Sequence, residues 1–370
     1  MSKTNWDIAA YYWPAYHDEP RWRRFMPAGE GEWETVRQAR QKFPGHWQPR
    51  VPAWGYTDES DPRVMEQKLG AAAAHGVNVF IFDWYWYENQ PFLEEALNRG
   101  YLAAKNQNQV RFFLMWANHD ATTLWDLSRS HQREVIWPGA VDRAGFEQAT
   151  DRVLKRYFGH PSYYRIEGKP VFSIYELGTL IQGLGGLDAT RAALDAFRAK
   201  VRAAGFPDLH LQAILWRQIP ASLSLVPGDR TETQANTVRT LGIDSLTNYQ
   251  WCHYVKPRGA YGEWAEQASA AWPRWADEFP VPFFPHVSIG WDTNPRFLAP
   301  KQDIITDVSP EAFGVYLRRA MAFVEDRRLS PRLITVNSWN EWSEGSYLEP
   351  DTVFGMRYLE AVRAARQQAS

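Results

Sequence analysis

The 370-residue sequence predicts an α/β fold, a single (β/α)8 TIM barrel with elaborated β-to-α loops. Eight short apolar runs recur along the chain, and most are followed by a longer segment of helical character. Several runs are continuously apolar, which is typical of parallel strands buried on both faces. No Gly-rich phosphate loop of the G-x-G-x-x-G type follows the first run, and this disfavours a doubly wound open sheet.

The predicted elements alternate along the chain, and we expect one catalytic domain over residues 1–370. Asp61 and Pro62 mark the start of the first clear helix, and Gly76 marks its end. The segment 15–61 is too long for an ordinary β-to-α loop, so we expect it to fold over the barrel mouth. The predicted strands are 7–13, 77–83, 110–116, 170–175, 209–215, 245–249, 282–288 and 333–340. The clearest predicted helices are 62–75, 92–104, 143–158, 188–204, 261–278, 310–325 and 353–366.

Charge and hydropathy exclude several classes of protein. Lys plus Arg is 41 and Asp plus Glu is 43, so the net charge of −2 offers no basic excess for binding nucleic acid or a membrane surface. No apolar stretch approaches the ~18 residues of a spanning helix. Residues 1–5 lack the apolar core of a signal peptide, so we expect a cytoplasmic protein unless a leader has been removed. The lone Cys252 excludes an intramolecular disulfide framework.

The aromatic residues give the first indication of function. The chain has 19 Trp, 17 Tyr and 19 Phe, which is more indole and phenol than a core usually absorbs. Many of these rings follow the carboxyl ends of predicted strands, where (β/α)8 enzymes carry their active sites. An aromatic-rich core is the plainer interpretation, but this placement favours a carbohydrate cleft. The predicted sugar-binding residues are Tyr12, Asp83, Trp84, Trp86, Trp116, His119, Tyr249 and Asn340.

Other roles stay open for some of these residues. Asp83 could accept backbone N–H bonds where its strand ends, and His119 could be a hydrogen-bonded structural imidazole. A zinc site needs three or four converging ligands, whereas the histidines are dispersed along the chain without close paired spacing. We therefore predict no metal site and no cofactor, and we expect Cys252 to be inert.

The strongest motif covers residues 337–350, Asn-Ser-Trp-Asn-Glu-Trp-Ser-Glu-Gly-Ser-Tyr-Leu-Glu-Pro. Glu341, Glu344 and Glu349 flank two tryptophans there, and poor solvation beside indoles favours protonation of one acid. A glycosidase needs such a pair, with one protonated acid and one carboxylate. Positions three apart face opposite sides of a straight strand, so Glu341 and Glu344 converge only if the chain turns, and Gly345 favours a turn. A polar turn that caps the barrel is the alternative interpretation.

Several stretches resemble known carbohydrate-active families. The last-strand motif of glycoside hydrolase family 99, the endo-α-mannosidases and endo-α-mannanases, is similar to Asn340-Glu-Trp-Ser-Glu-Gly345 with Glu349-Pro350. The ends of the first two predicted strands also resemble that family, in the opening Tyr11-Tyr-Trp-Pro-Ala-Tyr16 and in the run Asp83-Trp-Tyr-Trp. The chain resembles the bacterial family-99-like, or WbsX-type, domain more closely, and this resemblance covers nearly the whole chain. The stretches that carry it are Gln48-Pro-Arg-Val-Pro52, Trp116-Ala-Asn-His-Asp120 and Val336-Asn-Ser-Trp-Asn-Glu-Trp342.

The resemblance implies a (β/α)8 barrel and retaining hydrolysis without a metal. Glu341 and Glu344 match the catalytic pair of family 99, and Tyr249 matches its tyrosine after strand six. The implied reaction cleaves α-linked glycans of mannose or rhamnose configuration through a 1,2-anhydro sugar. In it Glu341 is the base toward the 2-hydroxyl group and Glu344 is the acid.

The chain departs from family 99 after the third strand, where Trp-Ala-Asn-His-Asp stands in place of His-x-Glu-Pro-Tyr. Endo-mannosidase specificity therefore does not follow from the resemblance. The expected partner is an oligosaccharide or polysaccharide, and the oligomeric state is not indicated. Two alternatives stay open, a glycosyltransferase of bacterial polysaccharide assembly and a catalytically silent carbohydrate-binding protein. Transfer from a nucleotide sugar usually needs a diphosphate site, and the sequence has no Asp-x-Asp element.

Overall fold

The computed structural model describes residues 6–216 and 234–369. Its central feature is a barrel of parallel strands whose residues are almost entirely buried. The barrel strands are β1 (Trp6–Tyr12), β2 (Val79–Tyr87), β3 (Arg111–Trp116), β4 (Lys169–Ile174), β5 (His210–Ile214), β6 (Ser245–Thr247), β7 (His286–Ser288) and β8 (Arg332–Asn337).

Helices follow the strands and pack around the barrel. None of those in the described ranges is both long and apolar enough to cross a lipid bilayer. The α-helices are α1 (Trp33–Gln38), α2 (Pro62–His75), α3 (Arg143–Val153), α4 (Leu177–Leu184), α5 (Leu187–Ala203), α6 (Gln234–Leu241), α7 (Tyr261–Ser269), α8 (Trp272–Glu278), α9 (Pro310–Asp326) and α10 (Arg357–Gln368).

The strand order confirms the predicted (β/α)8 barrel. Neighbouring strands follow the order β6-β5-β4-β3-β2-β1-β8-β7, so the first and last strands are paired, with Ile8 opposite Ile334. The ring closes just before β7, where Leu246 of β6 accepts from Phe284 N (2.8 Å) and donates to Pro282 O (2.9 Å). In such a barrel the loops after the eight strands meet at one face.

Three predicted helices differ from the observed ones. β2 continues to Tyr87 and pairs back with Gln90–Phe92, so the predicted helix 92–104 is reduced to the π-helical segment Ala96–Tyr101. The predicted helix 261–278 is divided into α7 and α8, because Pro273 has no N–H with which to continue α7. The last helix begins later than predicted, at the start of α10, after a turn in which the Asp351 carboxylate accepts two backbone N–H bonds.

A buried ion pair joins α2 to the loop after β8. Lys68 Nζ lies 2.6 Å from Glu59 Oε1 and 2.6 Å from Glu349 Oε1, and all three side chains are buried. Glu349 also accepts hydrogen bonds from the indoles of Trp339 (2.9 Å) and Trp342 (2.8 Å). Burial raises the pKa of Glu59 to about 7, although Lys68 acts against this rise. Glu349, the third glutamate of the motif, therefore holds the loop after β8 in place.

Replacing Lys68 with Met should strongly destabilise the protein, because two buried carboxyl groups would lose their shared cation. Loss of one partner from a buried ion pair typically costs about 3–5 kcal/mol in the free energy of unfolding. Arg63→Met on the same helix is the matched control, since its ion pair with Asp61 is exposed and contributes little. Urea unfolding followed by tryptophan fluorescence measures both variants, and equal effects would contradict this role for Lys68.

Candidate active site

The chain turns sharply after β8 and brings two glutamates to one side. Asn340–Glu341 pairs antiparallel with Ser346–Tyr347, and the 3-10 turn Trp342–Glu344 joins them. Gly345 closes the turn with φ +64°, a left-handed conformation that favours glycine. The predicted turn and the predicted role of Gly345 are confirmed.

The long loop after β1 braces this turn. Arg50 donates to the carbonyl oxygen of Gly345 (3.2 Å), and Gln48 donates to the Asp292 carboxylate (2.8 Å). The backbone N–H of Asp292 in turn donates to the carbonyl oxygen of Glu344 (2.7 Å). The predicted position of this loop at the barrel mouth is therefore confirmed.

A cleft of about 330 Å³ opens at the carboxyl ends of the strands. This volume is at the lower end of the range for small-molecule sites. Aromatic rings form most of its walls, and carboxyl groups and two arginines supply the polar groups. The principal lining residues are Trp13, Asp83, Tyr85, His119, Trp125, Arg133, Tyr175, Trp216, Tyr249, His253, Trp291, Arg296, Glu341 and Glu344.

Tyr249 connects two carboxyl groups at the base of the cleft. Its hydroxyl oxygen lies 2.9 Å from Asp83 Oδ2 and 3.0 Å from Glu341 Oε2. A phenol has one hydrogen to donate, so both contacts are hydrogen bonds only if one of the carboxyl groups is protonated and donates to the phenol. Burial raises the pKa of Asp83 and of Glu341 well above their ordinary values. The cluster of these three residues therefore retains a proton.

Arg296 carries the positive charge of the site. Its Nη1 pairs with Glu344 Oε1, and its Nη2 lies 3.8 Å from Glu341 Oε1. On its other side Nε donates to Glu32 Oε1 (2.7 Å). Burial raises the pKa of Glu344, and the guanidinium of Arg296 opposes this rise. Because Glu344 forms the direct ion pair, Arg296 stabilises a negative charge on Glu344 more than one on Glu341.

Five predicted site residues lie together in the cleft: Asp83, His119, Tyr249, Glu341 and Glu344. Asp83 Oδ1 is buried and accepts no hydrogen bond from the described residues, so it is free to bind a ligand hydroxyl. His119 Nδ1 is 2.9 Å from the carbonyl oxygen of Asp120, so Nδ1 carries the hydrogen. Burial lowers the pKa of His119 and keeps its ring neutral.

The prediction that Trp84 and Trp86 line the cleft is wrong. Successive side chains of a strand point to opposite faces, so Asp83 and Tyr85 face the cleft while the two indoles face away from it. Trp84 and Trp86 stack on each other with their centroids 5.6 Å apart. The Trp84 indole donates to Glu94 (2.7 Å), which completes its polar contacts away from the cleft.

Three further predicted residues, Tyr12, Trp116 and Asn340, do not line the cleft either. Trp116 packs against a phenylalanine of α3 with ring centroids 6.0 Å apart. The Tyr12 hydroxyl donates to Glu59 (2.8 Å). Asn340 accepts from the backbone N–H of Trp13 (2.8 Å) and donates to its carbonyl oxygen (2.7 Å). These hydrogen bonds use the polar groups of Tyr12 and Asn340 within the protein.

The sequence analysis missed Glu32 and Arg296. Both lie in loops without periodic pattern, and no motif marks them. Arg296 follows Asp292 in the loop after β7, and this position beyond the carboxyl end of a strand was the one available signal. Tyr85 could have been found from the alternation of side chains along β2, since it lies two residues after Asp83.

The fold and the paired acids define a (β/α)8 protein with the architecture of glycoside hydrolases. The family 99 endo-α-mannosidase from Bacteroides thetaiotaomicron superposes with a TM-score of 0.59 at 14% identity, over 98% of this chain and 97% of that one. A protein described as glycoside hydrolase-like superposes with a TM-score of 0.64 at 15% identity, over 99% of this chain and 95% of that one. These likenesses show the fold.

Residues 8–362 match the family described as Glycosyltransferase WbsX, and the chain belongs to that family. The resemblance to WbsX-type domains is thereby confirmed. An uncharacterized protein, WxcX from Xanthomonas campestris pv. campestris (strain B100), is 28% identical over 366 residues, which are 98% of this chain and 50% of WxcX. The chain therefore spans about half the length of the curated relatives it matches.

Replacing Gly345 with Ala should destabilise the turn that carries the two glutamates. An added Cβ would lie 3.0 Å from Arg50 Cζ and 3.2 Å from Asp292 Cβ, at a positive φ that alanine rarely adopts. We expect a loss of more than about 1 kcal/mol in the free energy of unfolding. Gly262→Ala in α7 is the control, because a Cβ there meets nothing within 4 Å and favours the helix. Thermal unfolding measures both, and an unchanged Tm for Gly345→Ala would contradict this account of the turn.

Proposed function

We propose that the protein is a retaining glycoside hydrolase acting on α-linked glycans of mannose or rhamnose configuration. The observation that carries this proposal is the pair of buried carboxyl groups, Glu341 and Glu344, in an aromatic-lined cleft. Such a pair suits cleavage of a glycosidic bond, which needs one proton donor and one proton acceptor. Flat aromatic rings suit the apolar faces of sugars, whose hydroxyl edges require polar partners.

In the first half of the proposed reaction, the sugar's own 2-hydroxyl group attacks the anomeric carbon. Glu341 removes the hydroxyl proton, and Glu344 protonates the leaving oxygen. The bond from the anomeric carbon to the leaving oxygen breaks as the bond to O2 forms, which gives a 1,2-anhydro sugar. This route requires the 2-hydroxyl group to be trans to the leaving group, as in α-mannosides and α-rhamnosides.

In the second half, water opens the anhydro ring with retention of configuration. Glu344 takes a proton from the water, and Glu341 returns its proton to O2. In the ligand-free site Glu341 is hydrogen-bonded to Tyr249 and Glu344 is paired with Arg296, an arrangement that favours the proton on Glu341 and the charge on Glu344. The reaction therefore needs one proton to pass from Glu341 to Glu344 when the substrate binds.

Asp83, His119 and Tyr249 are the residues we assign to the sugar. Asp83 Oδ1 has no partner among the described residues and can accept from a sugar hydroxyl. The neutral ring of His119 offers Nε2 as an acceptor, because Nδ1 is already used. Residues that the fold directs away from the cleft, such as Trp84, support the strand and do not bind the substrate.

Glycosyl transfer in polysaccharide assembly is the second candidate, and the family's description favours it. A nucleotide diphosphate needs cations free to bind it, whereas Arg296 is already paired with Glu32 and Glu344, which leaves Arg133 as the one arginine of the cleft without an ion pair among the described residues. Incubation with aryl α-mannosides, aryl α-rhamnosides, UDP-sugars and GDP-sugars separates the two activities. Turnover of a sugar nucleotide without any hydrolysis would overturn the hydrolase proposal, and absence of both activities would leave a carbohydrate-binding role.

Replacing either glutamate with Gln should abolish most of the activity. General acid or base catalysis typically contributes about 10²–10⁴ in rate, so Glu341→Gln and Glu344→Gln should each lose at least that factor on an unactivated glycoside. With an activated aryl leaving group, Glu344→Gln should lose less in the first step, because little protonation is needed. Steady-state and burst kinetics on both substrate types measure this difference.

A 2-deoxy substrate provides the control for the participation mechanism. It lacks the attacking hydroxyl group, so the unmutated enzyme should leave it intact. Turnover of this substrate, or a covalent glycosyl adduct trapped on Glu341, would restore the ordinary two-carboxylate mechanism.

Two tryptophans distinguish sugar binding from packing. Trp291 lines the cleft and is partly exposed, so Trp291→Ala should weaken sugar binding with a small effect on stability. Trp84 is 2% exposed and faces away, so Trp84→Ala should lower the free energy of unfolding by about 3–5 kcal/mol. Calorimetric titration with the reaction product and thermal unfolding measure both effects. If Trp84→Ala weakened sugar binding and Trp291→Ala mainly lowered stability, the assignment of Trp84 to packing would be wrong.

A further inference from the structure

Arg296 is the cation that both glutamates of the pair face. Its Nη1 pairs with Glu344, and its Nη2 is 3.8 Å from Glu341 Oε1, so one guanidinium reaches both carboxyl groups. The side chain is 5% exposed, and little water screens its charge. A planar guanidinium presents several donors in fixed directions, which allows it to contact two carboxylates at once.

Glu32 fixes the orientation of Arg296. Arg296 donates to it through Nε (2.7 Å) and through Nη2 (3.3 Å). Glu32 is fully buried, and it also accepts from the Trp13 indole (2.6 Å) and from the Ser343 hydroxyl group (2.7 Å). Four donors hold this carboxylate, so the guanidinium plane is set before any ligand binds.

The proposed reaction moves one negative charge back and forth across Arg296. Before the first half Glu341 is charged and Glu344 is protonated, and afterwards Glu341 is protonated and Glu344 is charged. The second half restores the starting distribution, so no net proton is gained or lost by the pair. The ligand-free arrangement, in which Glu344 makes the direct ion pair, favours the same distribution as the state that holds the anhydro sugar.

We propose that Arg296, braced by Glu32, is the positioning residue that stabilises the negative charge on whichever glutamate carries it. This inference rests on the proposed function. Since the direct ion pair is made with Glu344, Arg296 favours completion of the first half-reaction. In the second half-reaction the negative charge returns to Glu341, where Nη2 of Arg296 stabilises it.

Other ionisable groups also face the pair and must be included in any titration. β2 contributes Asp83, and the segments after β4 and β6 contribute phenols and a thiol. The loop after β3 contributes a second arginine, which makes no ion pair with the described residues. These groups are Asp83, Tyr85 (also on β2), Tyr175, Tyr249, Cys252, Arg133 and Glu32.

The test is a pH titration of ligand-free protein by infrared spectroscopy. The C=O stretch of protonated carboxyl groups reports the pair directly, and the bands that Glu341→Gln and Glu344→Gln each remove along the titration are assigned to those two residues. Arg296→Met removes the cation, so the pair should stay protonated to a pH higher by about 1–3 units. Glu32→Gln removes a neighbouring negative charge, so the pair should ionise at a lower pH. Arg296→Lys keeps a charge and should shift the titration less than Arg296→Met does.

Arg327→Met, just after the end of α9, is the matched control, because its ion pair with Asp277 is on the surface. Circular dichroism establishes that each variant is folded, and Glu32→Gln gives the opposite shift if Arg296→Met fails to fold. An unmoved titration in folded Arg296→Met, or shifts of the same sign in Arg296→Met and Glu32→Gln, would overturn the inference.

The infrared titration needs no substrate, so it separates this inference from the proposed function. If aryl α-glycosides are hydrolysed, the acid limb of kcat/KM should move in the same directions as the infrared titration. If the shifts occur and no glycoside is hydrolysed, the proposed function fails while the charge-holding role of Arg296 stands. If glycosides are hydrolysed but the acid limb of kcat/KM is unchanged in Arg296→Met, the charge-stabilising role of Arg296 is refuted and the proposed function stands.

Discussion

The constraint on which the site depends is the burial of three carboxyl groups around one guanidinium. Glu32, Glu341 and Glu344 come from the loops after β1 and β8, and Arg296 comes from the loop after β7. Each acid would be unstable in isolation at this depth, because burial without a partner disfavours its charge. The loops must therefore meet at Arg296, and their positions define the walls of the cleft.

The fold was predictable because its signals are local and repeated. Apolar runs, most of them followed by a helical segment such as α2, occur eight times, so an error in one element does not change the barrel. The errors arose where tertiary pairing overrides a local pattern. Gln90–Phe92 pairs with β2 and removes residues from a predicted helix, and Pro273 divides another.

The site was predictable only where its residues are close in sequence. Glu341, Glu344 and Gly345 form one turn, and the spacing of the acids already required that turn. Trp84 and Trp86 were misplaced because every position from Phe82 to Tyr87 is aromatic or acidic, so this part of the strand shows no inward and outward alternation. Glu32 and Arg296 are 264 residues apart, and neither lies in a pattern that a sequence period could reveal.

This separation has a consequence for synthesis on the ribosome. Chains emerge from the amino terminus, and domains generally fold as units. Glu32 is made long before Arg296, and β1 lacks one of its two neighbours until β8 emerges. The Glu32 carboxylate must stay hydrated until Arg296 is available. Closure of the barrel and burial of the acids therefore both take place late in synthesis. A nascent chain that stops before β8 thus lacks the strand that joins β1 to β7, and with it both glutamates that face Arg296.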